Sequence, residues 1–408
     1  MKNYRSSGVG GCPVDLFKYA LLPDDDPDAP LPEEADIAGH LACLLNAVFQ
    51  GGEVPADWNV VLVSPVFKKG DKGDTCNYRP ISVGEAYSRL YATVLQARLV
   101  SWLEDKGLRA SCQAGFRPQL GTEHQLFALR HLVELCRRRH HALYVCFLDF
   151  CKAFDTVPRP LLWQVMEGIG VPVVFIRAVQ SMYHDVTCMV SIGGCLGDRF
   201  ESCRGVKQGC PLSPTLFGIF IDRFYFMVMH WAQGQVGPAL LSGRRVPLLF
   251  YADDGTMLSV GALGMHMLLE FLDRFCRRSH MRINLQPGKT EMMIFAVSDS
   301  VRVALKAQHQ FVIDDQVVRY VVQTKYLGCQ VHERWLLRPG FTARASLVLG
   351  KTFQLRRDAL SWIIWVQQSQ SGWDCVCMMS RSGKQPPVGL LCGVHASQSG
   401  SRLRVGVQ

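Results

Sequence analysis

No run of eighteen apolar residues occurs in this chain of 408 residues, which excludes an ordinary membrane-spanning helix. The longest approach to one, 216–231, is interrupted by Asp222 and Arg223. The first eleven residues lack the basic-then-apolar order of a secretory signal. Although there are 16 cysteines, they have no regular spacing and lie in apolar segments such as 144–151. They read as reduced, buried thiols and not as a disulfide framework. Internal repeats and low-complexity tracts are also missing. Charged residues make up only 19% of the chain and hydrophobic ones 48%, which excludes wholesale disorder and fits a large core or two to three subdomains. These absences point to a soluble intracellular protein, nuclear or cytoplasmic, with no membrane partner.

Charge is present but uneven. The formal net charge is +9, yet residues 1–36 hold eight acids against three bases, leaving about +14 on the remainder. An acidic, Pro-rich leader followed by a basic body points to a polyanionic partner.

Two short acidic stretches carry most of the chemistry. Phe147-Leu148-Asp149-Phe150 is an apolar run that ends in a carboxylate, which places Asp149 at the open end of a buried strand. About a hundred residues later, Phe250-Tyr251-Ala252-Asp253-Asp254 offers two more carboxylates at a tight turn before Gly255. Such a turn also suits Asp for purely local reasons, because Asp tolerates left-handed backbone and accepts local hydrogen bonds. Three converging carboxylates, however, repel one another in a desolvated cleft unless cations are present. Hard Mg²⁺ bound through carboxylates and substrate phosphates is the usual solution, and it is the chemistry of two-metal phosphoryl transfer.

The flanks strengthen that reading. Helical spacing of Ile37, Leu41, Leu44, Leu45 and Val48 predicts a helix that ends at Gly51-Gly52. A strand over 60–67 leads into Lys68-Lys69-Gly70-Asp71-Lys72-Gly73, either an exposed turn or a basic flap for a triphosphate. Arg79, in Asn77-Tyr78-Arg79-Pro80-Ile81-Ser82, adds a planar fork suited to phosphate oxygens. Helices are expected over 86–103 and 122–139, the second ending in a basic run that suits a helix C-terminus. Gly205-Val206-Lys207-Gln208-Gly209-Cys210-Pro211 opens a helix over 215–231, its glycines allowing close backbone approach. Further on come a helix over 263–276, Lys289-Thr290-Glu291 before a strand over 292–295, and a turn at Lys325-Tyr326-Leu327-Gly328. From Ser361 the text becomes irregular. There Cys375, Cys377, Cys392 and His395 imitate a zinc site with too short a first spacing.

Taken in order, GVGGCPVDLFK, PVFKKGD, NYRPIS, QAGFR, FLDFCKAFD, GVKQGCPLSPTLF, FYADD, GKTEMM and KYLG resemble the reverse transcriptase domain of LINE-type non-LTR retrotransposons. The resemblance covers roughly residues 10–337 and implies an α+β, right-hand polymerase fold. In that arrangement 1–36 is a leader, 37–145 the fingers, 146–335 the palm with its antiparallel sheet and packed helices, 336–370 a short, partial thumb, and 371–408 an irregular tail. It further implies an RNA-directed DNA polymerase that uses two Mg²⁺ ions, with Mn²⁺ as an alternative, and takes dNTPs, an RNA template and a DNA primer.

The resemblance also assigns residues. Asp149, Asp253 and Asp254, with the Phe150 carbonyl, would hold the metals, and Lys289 would protonate the leaving pyrophosphate. Phe154 would be the gate against a ribose 2′-hydroxyl. Gln208 and Gly209 would pack on the nucleotide and template base, Lys68 and Arg79 would contact the triphosphate, and Arg117 with Tyr326, Leu327 and Gly328 would hold nucleic acid. Counting back from Lys289, Arg282 and Gln286 fall where the family carries Gly and Asn. No endonuclease motif is recognised, so that activity would come from another domain or protein. Competing readings are an inactive relic that only binds nucleic acid, and a two-metal nuclease, which the order of motifs disfavours.

Overall fold

A computed structural model of the chain describes residues 8–12, 37–231, 237 and 245–334, all within the first of two compact units, Met1–Ile363. Most of the leader, the expected thumb and the tail with its cysteines lie outside the described residues.

Among the described residues the first element is α1 (Ile37–Gly51), followed by β1 (Val60–Phe67) and β2 (Tyr78–Gly84) around the basic glycine loop, α2 (Ala86–Asp105) and α3 (Thr122–Arg138). The first acidic motif follows β3 (Leu143–Leu148) and precedes the short α4 (Ala153–Thr156), then α5 (Arg159–Gly168) and α6 (Val173–Ser181). A hairpin, β4 (Thr187–Ile192) and β5 (Cys195–Glu201), leads to α7 (Ser213–Trp231). The second acidic motif joins β6 (Leu248–Tyr251) to β7 (Asp254–Ser259) and is followed by α8 (Ala262–Ser279). The rest comprises β8 (Glu291–Phe295), α9 (Asp299–Gln308), the short strands β9 (Val312–Ile313), β10 (Gln316–Val317) and β11 (Arg319–Tyr320), and the hairpin of β12 (Gln323–Tyr326) with β13 (Cys329–His332). Helices and strands thus mix as expected. The hairpin β4–β5 and the helices α6 and α9 carry no motif and were not anticipated.

Two sheets organise these elements. One has the order β2-β1-β4-β5, with β1 antiparallel to β2 and parallel to β4. The other has the order β11-β8-β3-β7-β6, and β3 at its centre is antiparallel to both neighbours. The period of two along β3 explains its continuous apolar text. Tyr144, Cys146 and Leu148 join the core that holds α7 and α8, whereas Leu143, Val145 and Phe147 join a second core with Leu129, Leu132 and Val133 of α3 and with Tyr326 and Val331 of the last hairpin. Both faces are covered, so a polar residue within the strand would have nowhere to go. The first one the chain admits is Asp149.

Helix α7 supplies the floor of the first core through Leu216, Phe217, Phe220, Ile221, Phe224 and Val228, none more than 1% exposed. Each such side chain contributes ~1.5–3 kcal/mol through removal from water. The charge that interrupts this run in the sequence is neutralised in place: Arg109 donates to Asp222 at 2.7 Å, with both side chains under 5% exposed, and the Ala110 amide donates to the same oxygen at 3.2 Å. That buried pair fastens the loop after α2 to the helix beneath the active sheet. No helix of the described residues is long and apolar enough to cross a membrane, and every cysteine among them is free.

Candidate active site

Strand register brings the two acidic motifs together. Leu148 of β3 faces Gly255 of β7, so Asp149, one residue further, emerges beside the turn that carries Asp253 and Asp254. That turn is a two-residue connection between Tyr251 and Asp254, and its first residue, Ala252, has φ of 57°. A non-glycine residue held there costs about 1–3 kcal/mol and persists only where neighbours enforce it.

The carboxylates feel one another. Burial is the main cause that raises the Asp253 pKa, with the Asp149 charge adding to it and the Arg79 and Lys289 charges opposing it. Asp254 is pushed up to about 6, first by desolvation, then by the charges of Asp253 and Asp149, with Lys289 again opposing. The Lys289 ammonium lies 3.2 Å from Asp149 Oδ1 and provides positive charge beside this cluster. Among the described residues, no group of three or more His, Cys, Asp or Glu side chains is gathered so that it could hold a metal ion.

The backbone leading to Lys289 is shaped by Asp149. Asn284 N–H donates to the Asp149 carbonyl at 2.8 Å and Cys151 N–H to the Arg282 carbonyl at 2.9 Å, which makes Phe150 and Ile283 a non-hydrogen-bonded pair. The Phe150 carbonyl is therefore left out of that bridge. The Asn284 side chain donates to Asp149 Oδ2 at 2.9 Å, and the Asp149 amide donates to Thr290 Oγ1 at 3.1 Å. The asparagine that touches Asp149 is thus Asn284, and the residue that ends α8 in the left-handed conformation is His280, at φ 52°.

The residues expected on the nucleotide side come from three segments. Phe154 stacks on Phe217 of α7, with centroids 4.6 Å apart and rings inclined by 16°, so the ring has little freedom to swing. Gln208 donates through Nε2 to Asp155 Oδ1 at 2.8 Å, while its carbonyl accepts from Ser82 N–H of β2 at 2.6 Å. Burial raises the Asp155 pKa, against the Gln208 hydrogen bond and the Lys152 and Lys68 charges. Gly209 has φ of 115°, and a Cβ there would meet the Ser82 carbonyl at 2.6 Å. Only glycine lets this loop lie so close to β2. Lys68 and Arg79 are exposed at the basic end of the β1–β2 hairpin. Lys207, next to Gln208, is not available to a ligand: its Nζ donates to the Met182 carbonyl at 2.7 Å and lies over the Tyr183 ring.

The residues assigned to nucleic acid fare differently. Arg117 is turned inward, only 9% exposed. It makes a two-pronged pair with Glu104, at 2.8 and 2.5 Å, and donates to the Ala110 and Gln113 carbonyls. Four of its five N–H groups are spent inside the protein, so it braces Glu104 against the 110–113 loop. Tyr326 is also buried, with its ring 5.3 Å from that of Phe147, and its side chain cannot grip a strand. The turn beyond it, Leu327 at φ 47° and Gly328 at φ 82°, presents backbone instead.

Two residues missed in the sequence hold this arrangement. Asp155 is the last residue of FLDFCKAFD, where the motif assigns it no role. Glu291, 7% exposed, accepts from the Gly288 amide at 2.9 Å and from Thr324 Oγ1 at 2.6 Å, joining the Lys289 loop to β12. A carboxylate at the start of an otherwise apolar strand was the available signal for it.

Comparison with known proteins now fixes the class. The chain belongs to the reverse transcriptase family: a profile described as Reverse transcriptase (RNA-dependent DNA polymerase) matches residues 67–331, well over half of its length. It is 28% identical over 287 residues to the Transposon TX1 uncharacterized 149 kDa protein of Xenopus laevis, covering 70% of this chain and 20% of that protein. It is 27% identical over 284 residues to the Retrovirus-related Pol polyprotein from type-1 retrotransposable element R2 of Popillia japonica, covering 68% and 38% respectively. A third relative is the RNA-directed DNA polymerase from mobile element jockey of Drosophila melanogaster, 24% identical over 342 residues, covering 82% of this chain and 35% of that protein. The resemblance to retrotransposon reverse transcriptases drawn from motif order is borne out. The chain spans less than two-fifths of the length of each of these relatives.

Proposed function

We propose that this chain is an RNA-directed DNA polymerase domain of a retroelement, extending a primer 3′-hydroxyl with dNTPs on an RNA template. The observation that carries the proposal is the register that sets Asp149 beside the Asp253-Asp254 turn, in a chain of the reverse transcriptase family. In this reading 37–145 are fingers, 146–335 the palm, and 336–370 the start of a thumb.

The donor chemistry is the kind that divalent cations take, although the three carboxylates are not gathered around one point among the described residues. It offers hard carboxylate oxygens, of which those of Asp253 and Asp254 have pKa values raised first by burial and then by neighbouring carboxylate charge, together with a carbonyl, at Phe150, left out of the neighbouring bridge. Asp149, Asp253, Asp254 and Phe150 would hold Mg²⁺ or Mn²⁺, which when bound acidify the attacking hydroxyl and neutralise the leaving pyrophosphate. The protein's own residues align the partners. Lys289 holds a proton at Nζ, within reach of the site through its contact with Asp149. The Phe154 ring, immobilised on Phe217, excludes a 2′-hydroxyl. Gln208 and Gly209 line the nucleotide, Lys68 and Arg79 meet its phosphates, and the backbone at Leu327-Gly328 supports the primer end. An endonuclease step would be supplied by another domain or protein.

The test is primer extension on an RNA template with purified protein, dNTPs and Mg²⁺, beside Asp253→Asn. Incorporation that vanishes in the variant supports the proposal. Salt-sensitive binding of template and primer without incorporation would support an inert nucleic-acid-binding relic instead.

A further inference from the structure

The turn that presents Asp253 does not hold itself. Ala252 sits at φ 57°, a conformation that glycine adopts freely and alanine does not. Its enforcement comes from the QAGFR segment, more than a hundred residues earlier. Gln113, 1% exposed, uses its carboxamide on both sides of Ala252: Oε1 accepts from the Ala252 amide at 2.8 Å, and Nε2 donates to the Ala252 carbonyl at 3.2 Å. The same Oε1 accepts from the Gly115 amide at 2.8 Å.

The segment around Gln113 is itself pinned to β6. Phe250 N–H donates to the Cys112 carbonyl at 2.8 Å, and Ala114 N–H donates to the Phe250 carbonyl at 2.9 Å, so residues 112–114 run as an extra parallel strand beside Phe250. From α3, Gln125 Nε2 donates to both of these carbonyls, at 2.9 and 3.0 Å. Contact is so close at Gly115 that a Cβ there would lie 2.1 Å from the Ala252 nitrogen. A backbone-mimicking side chain, a missing Cβ and a strained alanine meet at one point, directly before the catalytic aspartates.

We propose that Gln113 is a positioning residue, whose carboxamide clamps Ala252 in its left-handed conformation and thereby aims Asp253 and Asp254. The inference rests on Asp253 belonging to the polymerase site described above. It follows that the fingers-side QAGFR segment and the palm turn act as one unit. Loss of the clamp lets the alanine relax toward ordinary backbone, which moves the carboxylates without removing them.

The experiment uses the full chain as the parent protein, Gln113→Ala, Gln113→Glu, Ala252→Gly and the Gln113→Ala, Ala252→Gly double variant, with Asp253→Asn as reference. Hydrogen exchange of amides 250–255 reads the clamp without activity. Gln113→Ala should speed exchange at Ala252 about tenfold or more, while β3 and β8 stay protected. Single-nucleotide incorporation reads the consequence: kcat should fall about tenfold to a hundredfold with KM for dNTP nearly unchanged, as expected for misaligned groups. Glycine at 252 takes the required φ unaided, so the double variant should recover part of the lost kcat. Gln113→Glu keeps the acceptor and loses the donor, and should fall between parent and Gln113→Ala, which keeps the proposal testable if the alanine variant does not fold. Unchanged exchange at Ala252 in the Gln113 variants overturns the clamp. So does an unrescued double variant, or a loss of kcat matched by an equal rise in KM. If Asp253→Asn retains incorporation, the assignment of Asp253 fails instead, and the exchange result still decides the clamp.

Discussion

Replacing Glu291 by alanine should show how firmly the Lys289 loop is tied to the final hairpin. Its carboxylate takes a part-buried hydrogen bond from the Gly288 amide at 2.9 Å and a buried one from Thr324 Oγ1 at 2.6 Å. Alanine leaves both donors without their acceptor, at about 1–3 kcal/mol for the buried Thr324 hydroxyl and about 0.5–1.5 kcal/mol for the Gly288 amide, which water can reach, or roughly 1.5–4.5 kcal/mol together. With an unfolding entropy near 2.1 cal/mol/K per residue over about 300 residues, Tm should fall by about 2–7 °C. Glutamine should cost less, because its Oε1 still accepts from Gly288 while its Nε2 donates to a rotated Thr324 hydroxyl. Thr324→Val should reproduce only the hairpin half of the loss. Lys289 lies between Gly288 and Glu291, so nucleotide incorporation by Glu291→Ala should drop about tenfold even well below Tm. Thermal melts and incorporation rates on the four proteins check the set. An alanine variant melting within about 1 °C of the parent, or a glutamine variant no better than alanine, would refute the reasoning.

Two further expectations concern charge. Asp254 has a folded pKa near 6, above its ordinary value, so its protonated form is favoured by folding, and the associated stability is full below about pH 4 and lost as pH rises through 6. In metal-free buffer Asp254→Asn should therefore melt higher than the parent at pH 8 and equally at pH 4, with Mg²⁺ narrowing the gap at pH 8; equal Tm values at pH 8 would contradict this. For the buried pair under the sheet, Asp222→Ala strands the Arg109 charge and should cost about 3–5 kcal/mol, whereas adding Arg109→Met should recover part of it. Urea titration of both proteins measures the difference, and an Asp222→Ala loss below about 1 kcal/mol would show that the pair is not sealed from water.

Much of the site could be read from local text, and the reason is visible in particular residues. Asp149 stood out because a strand buried on both faces cannot admit a carboxylate before its end, and Asp253-Asp254 because a two-residue turn confines polar groups between apolar strands. Asn284 escaped because its partner, Asp149, lies 135 positions earlier and no local pattern joins the two. The surroundings of Arg117 were hidden for the opposite reason. A basic residue in a polymerase-like motif invites a nucleic-acid role, but Glu104 and two backbone carbonyls claim its guanidinium first. Tyr326 likewise turns its ring to Phe147 and leaves only the following backbone outside.

By itself the sequence determined the family, the order of its motifs, the central strand and the identity of the three carboxylates, since these depend on short-range periodicity and on residue chemistry. Tertiary structure alone decided which polar groups face one another across the fold. Asn284 on Asp149, Gln208 on Asp155, Glu291 on Thr324 and Gln113 on Ala252 join residues that are between 33 and 139 positions apart. Nothing in a local pattern specifies such a pairing. It arises only when strand register and loop paths have fixed where each backbone runs, and burial then requires every polar group inside to find a partner.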